Sequence, residues 1–271
     1  MASVVEFVGE QSQKKVGVFD ALWRSFFDSN CYVSVARDWS GISVTYLLLL
    51  TVLFCSLVVG GMYYRVVQTL SSAEVVSMME QMPRLHFKNG VMSTASGDRV
   101  DLIYPKSGSL FMIVDPRDTV ADIGSTGATV LVQSKNVTVH LHSKEPAVIP
   151  LSKIYKDTDL DGKQILGQIK SLANATVLPI FLILNIGSFL FILFKSMMLA
   201  LLLKLLRTRH SIFAATRLII MATTPSLILS GLSIIAQIHF GKAESGIFTG
   251  IFFGYVWLAF FFCRKEDIVG K

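Results

Sequence analysis

The stretch VLPIFLILNIGSFLFILFKSMMLALLLKLLR, residues 177–207, decides the fold of this 271-residue chain. Its first 18 residues, 177–194, carry no charge, and the apolar character resumes after Lys195 and continues to Leu203. A helix of this length more than covers the roughly 30 Å of hydrocarbon in a bilayer. We therefore predict that this stretch crosses a membrane.

Three other apolar runs are also long enough to cross a bilayer. Together the four runs predict an α-helical polytopic membrane protein with transmembrane helices at residues 42–63, 176–206, 218–240 and 246–263. The chain is 52% hydrophobic and 16% charged, whereas an average soluble domain is roughly 25% charged. Because the basic residues lie beside the apolar runs, the net charge of +6 indicates contact with lipid headgroups and not with nucleic acid.

The basic residues also predict the orientation of the helices. Four of them surround the connection between the second and third runs: Lys204, Arg207, Arg209 and Arg217. The connection after the third run has only Lys242. By the positive-inside rule both termini are cytoplasmic. The segments predicted inside are residues 1–41, 207–217 and 264–271, and those predicted outside are residues 64–175 and 241–245.

The segment before the first run contains an amphipathic pattern. Five apolar residues recur at the spacing of one helical face: Phe19, Leu22, Trp23, Phe26 and Phe27. We expect a short helix that lies in the membrane interface as an anchor. Docking of this face in the groove of a partner is the alternative.

Residues 64–175 are long enough for one small domain. The sequence Ser71-Ser72-Ala73-Glu74 has the spacing of a capping box and predicts a helix up to Pro83. Asn89-Gly90 is a strong signal for a two-residue hairpin. Further β-rich runs lie at residues 100–104, 110–114, 128–132 and 137–142. We predict an inserted extracytoplasmic α+β domain with a small, mostly antiparallel sheet.

Three groups of polar residues in this domain are candidate sites. Asp157, Asp159, Asp161 and Gly162 match the first half of an EF-hand loop, but the twelfth position is Gln168 instead of glutamate, so an acidic turn that caps the next helix is the preferred interpretation. His140 and His142, with His86, could bind zinc. Asp115, Asp118 and Asp122 form an acidic cluster that could do acid–base chemistry or form a solvated turn.

The sequence contains no Walker loop, no G-x-S-x-G and no H-E-x-x-H motif. We therefore predict no enzymatic activity, no cofactor and no bound metal. A metal-dependent hydrolase that uses the histidines and aspartates remains the alternative from the enzyme class.

Two polar residues of the second run define a candidate intramembrane polar site, Lys195 and Asn185. A charge inside an apolar run is costly and usually functional. However, Lys195 lies within about one turn of the predicted cytoplasmic end, where its side chain can reach the surface. A transporter would instead require a polar cavity, lined by Lys195, Asn185, Thr224 and Gln237.

The third and fourth runs carry signals for helix shape and packing. Pro225, within Thr223-Thr224-Pro225-Ser226, predicts a kink in the third helix. Gly246, Gly250 and Gly254 lie one turn apart and predict a surface for close helix packing. That surface would serve either the chain's own bundle or contact with a second copy or another membrane protein.

Four segments resemble a bacterial family: FFDSNCYVSVARDWSGISVTYLLLL (26–50), MPRLHFKNGVM (82–92), FMIVDPRDTV (111–120) and ATTPSLIL (222–229). They are similar to the domain-of-unknown-function family 1189, whose members are sometimes labelled maltodextrin-utilisation proteins. More remotely, the proline-bearing spans resemble Yip1-type membrane proteins. The resemblance implies a bacterial cytoplasmic-membrane protein with an external domain and no assigned catalytic residues, and the label implies an association with sugar uptake.

These observations together predict a non-enzymatic envelope scaffold or sensor whose external domain binds a partner or ligand. A transporter or a transport accessory component, linked to maltodextrin uptake, is the alternative.

Overall fold

The computed structural model describes residues 16–41, 43–140, 145–205, 211–236, 238 and 243–269, with side chains described up to Arg264. Five residues used in the sequence predictions lie outside the described residues: His142, Arg207, Arg209, Gln237 and Lys242. The chain divides into two compact units. The first contains the described residues up to Met62 and those from Leu178 onward, and the second is Tyr63–Val177.

Seven α-helices form in the described residues: α1 Val18–Arg24, α2 Ser29–Asp38, α3 Val44–Leu70, α4 Ala73–Glu80, α5 Gly162–Leu205, α6 Ile212–Ala236 and α7 Glu244–Val269. Four of them, α3, α5, α6 and α7, are long and apolar enough to cross a membrane. Each of the four extends beyond its predicted span at one end or both. The largest extensions are those of α3, which runs on to Leu70, and α5, which already begins at Gly162, because polar residues continue both helices.

The first unit packs around α6. Every residue from Ala214 to Ser226 in this helix is buried, and the same apolar core includes side chains of α2, α3, α5 and α7. In contrast, α5 leaves most of its apolar side chains exposed. The helix at the centre is therefore covered by protein, and α5 lies at the periphery of this unit.

The amphipathic pattern at the N-terminus forms one short helix, α1, and the turn after it, and a second short helix, α2, follows before the first long apolar helix. The chain turns at residues 25–27, and Asp28 caps α2 by accepting a hydrogen bond from the backbone N–H of Asn30 at 2.9 Å. On α2, the side chains of Cys31, Tyr32 and Val35 are buried, and this helix packs against α6 and α7. The segment is thus part of the helical core of the first unit.

The second unit contains eight strands in its described residues: β1 Leu85–Lys88, β2 Val91–Thr94, β3 Val100–Ile103, β4 Leu110–Asp115, β5 Val130–Gln133, β6 Asn136–Val139, β7 Ala147–Pro150 and β8 Thr158–Leu160. They form a three-stranded sheet in the order β2-β1-β8 and a five-stranded sheet in the order β3-β4-β5-β6-β7. The backbone N–H of Met92 joins the two sheets by donating to the carbonyl of Ser134 at 2.7 Å.

The single, mostly antiparallel sheet that was predicted differs from this arrangement in two respects. There are two sheets, and β4 and β5 of the larger one pair in parallel. A parallel pair requires a long crossover, which residues 116–129 supply. Val120, Ile123 and Ala128 of this crossover pack on the sheet as a small separate core.

Local sequence signals in this unit correctly predicted a hairpin and a helix. Asn89 and Gly90 both have positive φ, at 53° and 76°, and Lys88 pairs with Val91, so β1 and β2 form the predicted two-residue hairpin. Helix α4 begins after Ser72, whose hydroxyl accepts a hydrogen bond from the N–H of Val75 at 3.3 Å.

Candidate functional site among the apolar helices

Arg217, on α6, forms hydrogen bonds with the backbone at the carboxyl end of α2. Its side chain is only 8% exposed and extends from the second turn of α6. The Nε atom donates to the carbonyl of Val35 at 3.1 Å, Nη2 donates to Ala36 at 2.7 Å, and Nη1 donates to Gly41 at 2.9 Å. The last carbonyls of a helix lack partners within it. Arg217 satisfies such groups at the end of α2 and just after it.

The chemistry of the guanidinium suits this position. It is planar, carries five N–H donors in a fixed arrangement and stays charged. A positive charge beside the carboxyl end of a helix is also favourable, because that end carries partial negative charge. Arg217 therefore fixes α2 to α6 by both hydrogen bonding and electrostatics.

A second polar contact joins α3 to α6. The hydroxyls of Tyr46 and Thr224 are 2.6 Å apart, and both side chains are fully buried. The ring of Trp39 packs edge-on against Tyr46 with a centroid distance of 5.5 Å, and its Nε1 donates to the carbonyl of Val16 at 3.1 Å. The segment that follows α2 is thereby tied to the start of α3.

Two tyrosines hold the turn between α1 and α2. Tyr32 Oη donates to the carbonyl of Ser25 at 2.6 Å, and Tyr255 Oη, from α7, donates to the carbonyl of Phe26 at 3.1 Å. Backbone that leaves a helix beside apolar helices is stable only where its polar groups find hydrogen-bond partners. The side-chain donors around this turn provide such partners.

The structure does not bring Lys195 and Asn185 together. The ammonium of Lys195 lies 4.0 Å from the centroid of the Phe252 ring on α7, in a cation–π contact. Asn185 instead lies beside Cys55 of α3, whose thiol is 3.8 Å from the hydroxyl of Ser188. The two residues of the candidate polar site thus face different helices.

Of the two other residues of the proposed transport cavity, the structure describes only Thr224. Thr224 is bonded to Tyr46, and Gln237 lies outside the described residues. The Nδ2 atom of Asn185 and the hydroxyl of Ser196 are buried, and neither has a hydrogen-bond partner among the described residues.

Helices α3 and α6 approach each other closely at two glycines that the sequence analysis did not predict as packing positions. A Cβ atom on Gly61 would lie 3.1 Å from Cγ1 of Ile235, and one on Gly231 would lie 3.1 Å from Cβ of Leu57, so α3 and α6 pack tightly here. A Cβ on each of the three predicted packing glycines would meet no described atom within 4 Å: Gly246, Gly250 and Gly254. The described part of the chain leaves these three open, and their contact with another chain stays a prediction.

Pro225 lies inside α6, and the helix continues through it. The neighbouring hydroxyls bond back to helix carbonyls, Thr223 to Ile219 at 3.1 Å and Ser226 to Thr223 at 2.9 Å. Neither of these two bonds reaches the carbonyl of Met221, four residues before Pro225, to which the proline has no N–H to donate. A kink at Pro225 stays a prediction.

In the second unit, Asp115 organises the loop after β4. Its carboxylate is fully buried and accepts hydrogen bonds from Val120 N at 2.7 Å, Thr119 Oγ1 at 3.0 Å and Arg117 N at 3.3 Å. Burial by itself raises the pKa of Asp115, but these hydrogen bonds outweigh it and hold the pKa below its usual value. The carboxylate therefore stays ionised and stabilises the loop after β4 by accepting these hydrogen bonds.

The other two aspartates of this group hold separate turns. Asp118 accepts from the N–H of Ser134 at 2.8 Å, and Asp122 accepts from the N–H of Gly124 at 3.0 Å at the start of a short 3-10 helix. The three carboxylates therefore have three distinct sets of partners, which does not support an acid–base pair.

The structure does not support the calcium hypothesis for Asp157, Asp159 and Asp161. Residues 158–160 form strand β8 and not a loop, with Asp159 in the strand, Asp157 just before it and Asp161 just after it. Asp157 accepts from Asn89 N at 2.8 Å, and Asp159 lies 2.8 Å from Nδ1 of His86.

The preferred interpretation, an acidic turn that caps the next helix, is confirmed for Asp161. Its carboxylate accepts from Gln164 N at 2.8 Å, and its own N–H donates to Gln164 Oε1 at 3.0 Å. Gly162 is required by packing, because a Cβ there would clash with the backbone oxygen of Met79.

The zinc hypothesis receives no support. His86 lies in the smaller sheet beside Asp159, His140 follows β6 of the larger sheet, and His142 lies outside the described residues. Across the described residues, no three His, Cys, Asp or Glu side chains are grouped closely enough to hold a metal ion.

The fold defines a helical protein with four helices suited to a membrane and a mixed α/β unit between the first and the second of them. The chain belongs to the family described as Protein of unknown function (DUF1189), which matches residues 19–260 and so includes both units. No curated protein and no solved structure shows a significant match. The family description names no activity, and no comparison supports a relationship to Yip1-type proteins or to maltodextrin use.

In the sequence, Arg217 served only as a marker of orientation, and its bonding to the end of α2 was not predicted. One signal was available: the residue stands directly before the apolar run that starts at Leu218 and follows Ala214-Ala215-Thr216. An arginine so close to a buried apolar stretch requires acceptors inside the protein.

Proposed function

We propose that this chain is a multi-pass protein of the bacterial cytoplasmic membrane that acts as a non-enzymatic scaffold or sensor. Both termini are cytoplasmic, the Tyr63–Val177 unit lies outside, and this unit binds a protein partner or ligand. Four apolar helices, an even number, and the basic residues near the α5–α6 connection support the orientation.

The proposal rests on one observation: the carboxylates of the second unit are hydrogen-bonded to neighbouring groups of the same unit. Each of the six aspartates considered as a site holds a backbone N–H or a neighbouring side chain: Asp115, Asp118, Asp122, Asp157, Asp159 and Asp161. A group committed to shaping a turn is poorly placed to bind a metal or transfer a proton. This arrangement favours a recognition module over a catalytic one.

Exposed apolar side chains of the second unit are candidates for such recognition. Val91 on β2, Val148 and Ile149 on β7, and Ile154 after the 3-10 helix Leu151–Lys153 are all at least 41% exposed. This 3-10 helix lies against the turn between β1 and β2, since a Cβ on Gly90 would meet Ser152. Successive strand residues point to opposite faces, so Val148 and Ile149 offer apolar contacts on the two faces of this sheet edge.

The partner would contact side chains rather than add a strand. Strand β7 is an edge of the larger sheet, and the N–H of Leu151 bonds to Lys135, so the alternate positions 148 and 150 direct their backbone groups outward. Position 150 is a proline and has no N–H to offer, a feature that protects sheet edges from pairing.

Photocrosslinking in cells tests this role. A photoreactive amino acid would replace Val148 or Ile154 in the full chain, and Ser107, an exposed turn residue between β3 and β4, is the matched control. We expect a discrete crosslinked protein or ligand at positions 148 and 154 and none at position 107. The same weak pattern at all three positions would remove the partner-binding role.

A transport function is the second candidate, and one observation favours it. The unpartnered polar atoms of Asn185 and Ser196 lie on α5 eleven positions apart, which is close to three full turns and places them on the same face. Buried polar atoms without partners are often satisfied by water. Water along this face would form a polar path between α5 and its neighbours.

Thiol accessibility distinguishes the two candidates. Cysteines at positions 185 and 196, placed one at a time in a chain free of Cys31, Cys55 and Cys263, would be treated with a charged, water-soluble methanethiosulfonate. Rapid reaction at both positions supports a hydrated path. Absence of reaction at both means that the helices pack without water, and it removes the transport candidate.

A further inference from the structure

The aromatic face of α1 is not covered by the described protein. Phe19 and Trp23 of α1 and Phe27 of the turn after it are 76%, 72% and 77% exposed, among the highest values for large hydrophobic side chains in the first unit. The rings of Trp23 and Phe27 contact each other edge-on with a centroid distance of 5.7 Å. We call these three residues the aromatic face.

This face is held rigidly by the opposite side of the same segment. Ala21 and Ser25 are fully buried, and Ser25 Oγ donates to the carbonyl of Leu22 at 2.8 Å. The turn that follows is bonded to Tyr255, and α2 is bonded to Arg217. The aromatic face therefore cannot fold inward to hide its rings.

The contact with Tyr255 sets the depth of the face. Tyr255 precedes Arg264, the first charged residue at the carboxyl end of α7, by nine residues, or about 14 Å along the helix axis. The carbonyl of Phe26 thus lies at the level of the uncharged part of α7. Near this level α7 exposes Trp257 and Phe261, whose rings stack at 5.3 Å.

A row of charges borders the aromatic face and limits how deeply it can enter. Arg24 Nε lies 3.5 Å from carboxylate oxygens of both Asp20 and Asp28, and all three side chains keep substantial exposure. Such groups need water or lipid headgroups nearby. Aromatic rings on one side and a charge row on the other match the boundary between headgroups and acyl chains.

We propose that Phe19, Trp23 and Phe27 form a lipid-binding surface that enters the acyl boundary of the leaflet at the carboxyl end of α7. Tyr255 and Arg217 fix its depth, so it is a rigid wedge built on the helical core. The inference rests on the proposed membrane location of the four apolar helices. Its ligand is the acyl chain of a phospholipid, since the level of Tyr255 places the rings beside the apolar part of α7.

The three tryptophans of the chain allow a direct test. The W39F/W257F variant retains Trp23, and the W23F/W39F variant retains Trp257, which serves as the control on α7. Both would be reconstituted in vesicles of phosphatidylcholine and phosphatidylglycerol. Their fluorescence would be measured with lipids that carry a nitroxide at acyl position 5 and, separately, with aqueous iodide.

We expect the acyl nitroxide to remove about half or more of the Trp23 emission and iodide to remove little, as for a side chain about 5–10 Å below the headgroups. Quenching of Trp23 by iodide alone, with Trp257 quenched by the nitroxide, would overturn the wedge and leave the membrane location intact. If the nitroxide quenches neither tryptophan, both proposals fail. A Trp23 shielded from both reagents is covered by protein and not by lipid, which also overturns the proposal.

The substitution of Trp39 requires a second variant, because Trp39 packs on Tyr46. W257F alone, which retains Trp39, keeps that contact. Trp39 is partly buried, so the part of the emission lost to the nitroxide in this variant reports mainly on Trp23. Equal losses in W257F and in W23F/W257F would contradict the proposal.

Discussion

The Nη2 atom of Arg217 lies 2.7 Å from the backbone oxygen of Ala36, across 181 positions of sequence. With the bonds to Val35 and Gly41, this contact makes one arginine the link between the N-terminal helices and the central helix α6. The packing of the first unit therefore depends on a charged residue whose partners are all backbone carbonyls.

Substitution of Arg217 tests this link. R217K keeps the charge but cannot reach three carbonyls at once, so we expect the free energy of unfolding to fall by about 2–3 kcal/mol. The matched control is R37K, on α2 itself, whose side chain is 61% exposed and whose replacement should cost less than about 0.5 kcal/mol. Thermal unfolding of the full chain in detergent measures both. Equal effects of R217K and R37K would show that the link does not carry stability.

The bond between Tyr46 and Thr224 predicts energetic coupling between α3 and α6. Y46F and T224V each remove one hydroxyl, and the double variant removes both. Because a hydroxyl left alone in the core keeps its desolvation cost, the two changes should be non-additive by about 0.5–1.5 kcal/mol. The same unfolding assay measures the cycle, and strictly additive losses would argue against a hydrogen bond.

The glycines of α3, α6 and α7 should respond differently to a methyl group. G61A and G231A place a Cβ 3.1 Å from a neighbouring helix, so we expect both to be less stable than G250A by about 1 kcal/mol or more. G250A meets open space in the described structure and gains helix propensity. A loss of stability confined to G250A would mean that the glycines of α7 carry the close packing.

Asp115 should make the stability of the protein depend on acidity. Its folded-state pKa lies below the usual 3.8, so its contribution is present above that value and is lost as the pH falls through the lower, folded-state pKa. D115N should lower stability at pH 7 and weaken the acid-induced loss below about pH 4. Denaturant unfolding between pH 7 and pH 3 measures this, with D122N as the exposed control. If D115N loses as much stability between pH 7 and pH 3 as the parent protein, Asp115 is not a source of the pH dependence.

Local sequence signals predicted the elements well where the cause was local. An uncharged apolar run is sufficient to predict α5, and Asn89-Gly90 is sufficient to predict a hairpin, because each depends on neighbouring residues. The acidic turn at Asp161 likewise predicted a helix start there, and the cap formed by Asp161 and Gln164 begins α5 well before its apolar part.

The candidate sites were harder to predict because they depend on distant contacts. Glycine spacing favoured Gly246, Gly250 and Gly254, but whether a glycine is needed depends on what stands opposite, and the close neighbours are Leu57 for Gly231 and Ile235 for Gly61. The acceptors of Arg217 are backbone groups, which leave no trace in side-chain patterns. The parallel β4–β5 pair likewise depends on how a crossover packs.

The most direct test of the proposed arrangement is the accessibility of the second unit from outside the cell. Ser107 is exposed, and Cys31, Cys55 and Cys263 are buried, so a cysteine at position 107 can be labelled selectively. In intact cells that express S107C, a small membrane-impermeant maleimide should label the chain fully, with no further gain after the cytoplasmic membrane is permeabilised. Labelling that appears only after permeabilisation would place the Tyr63–Val177 unit in the cytoplasm and contradict the proposal.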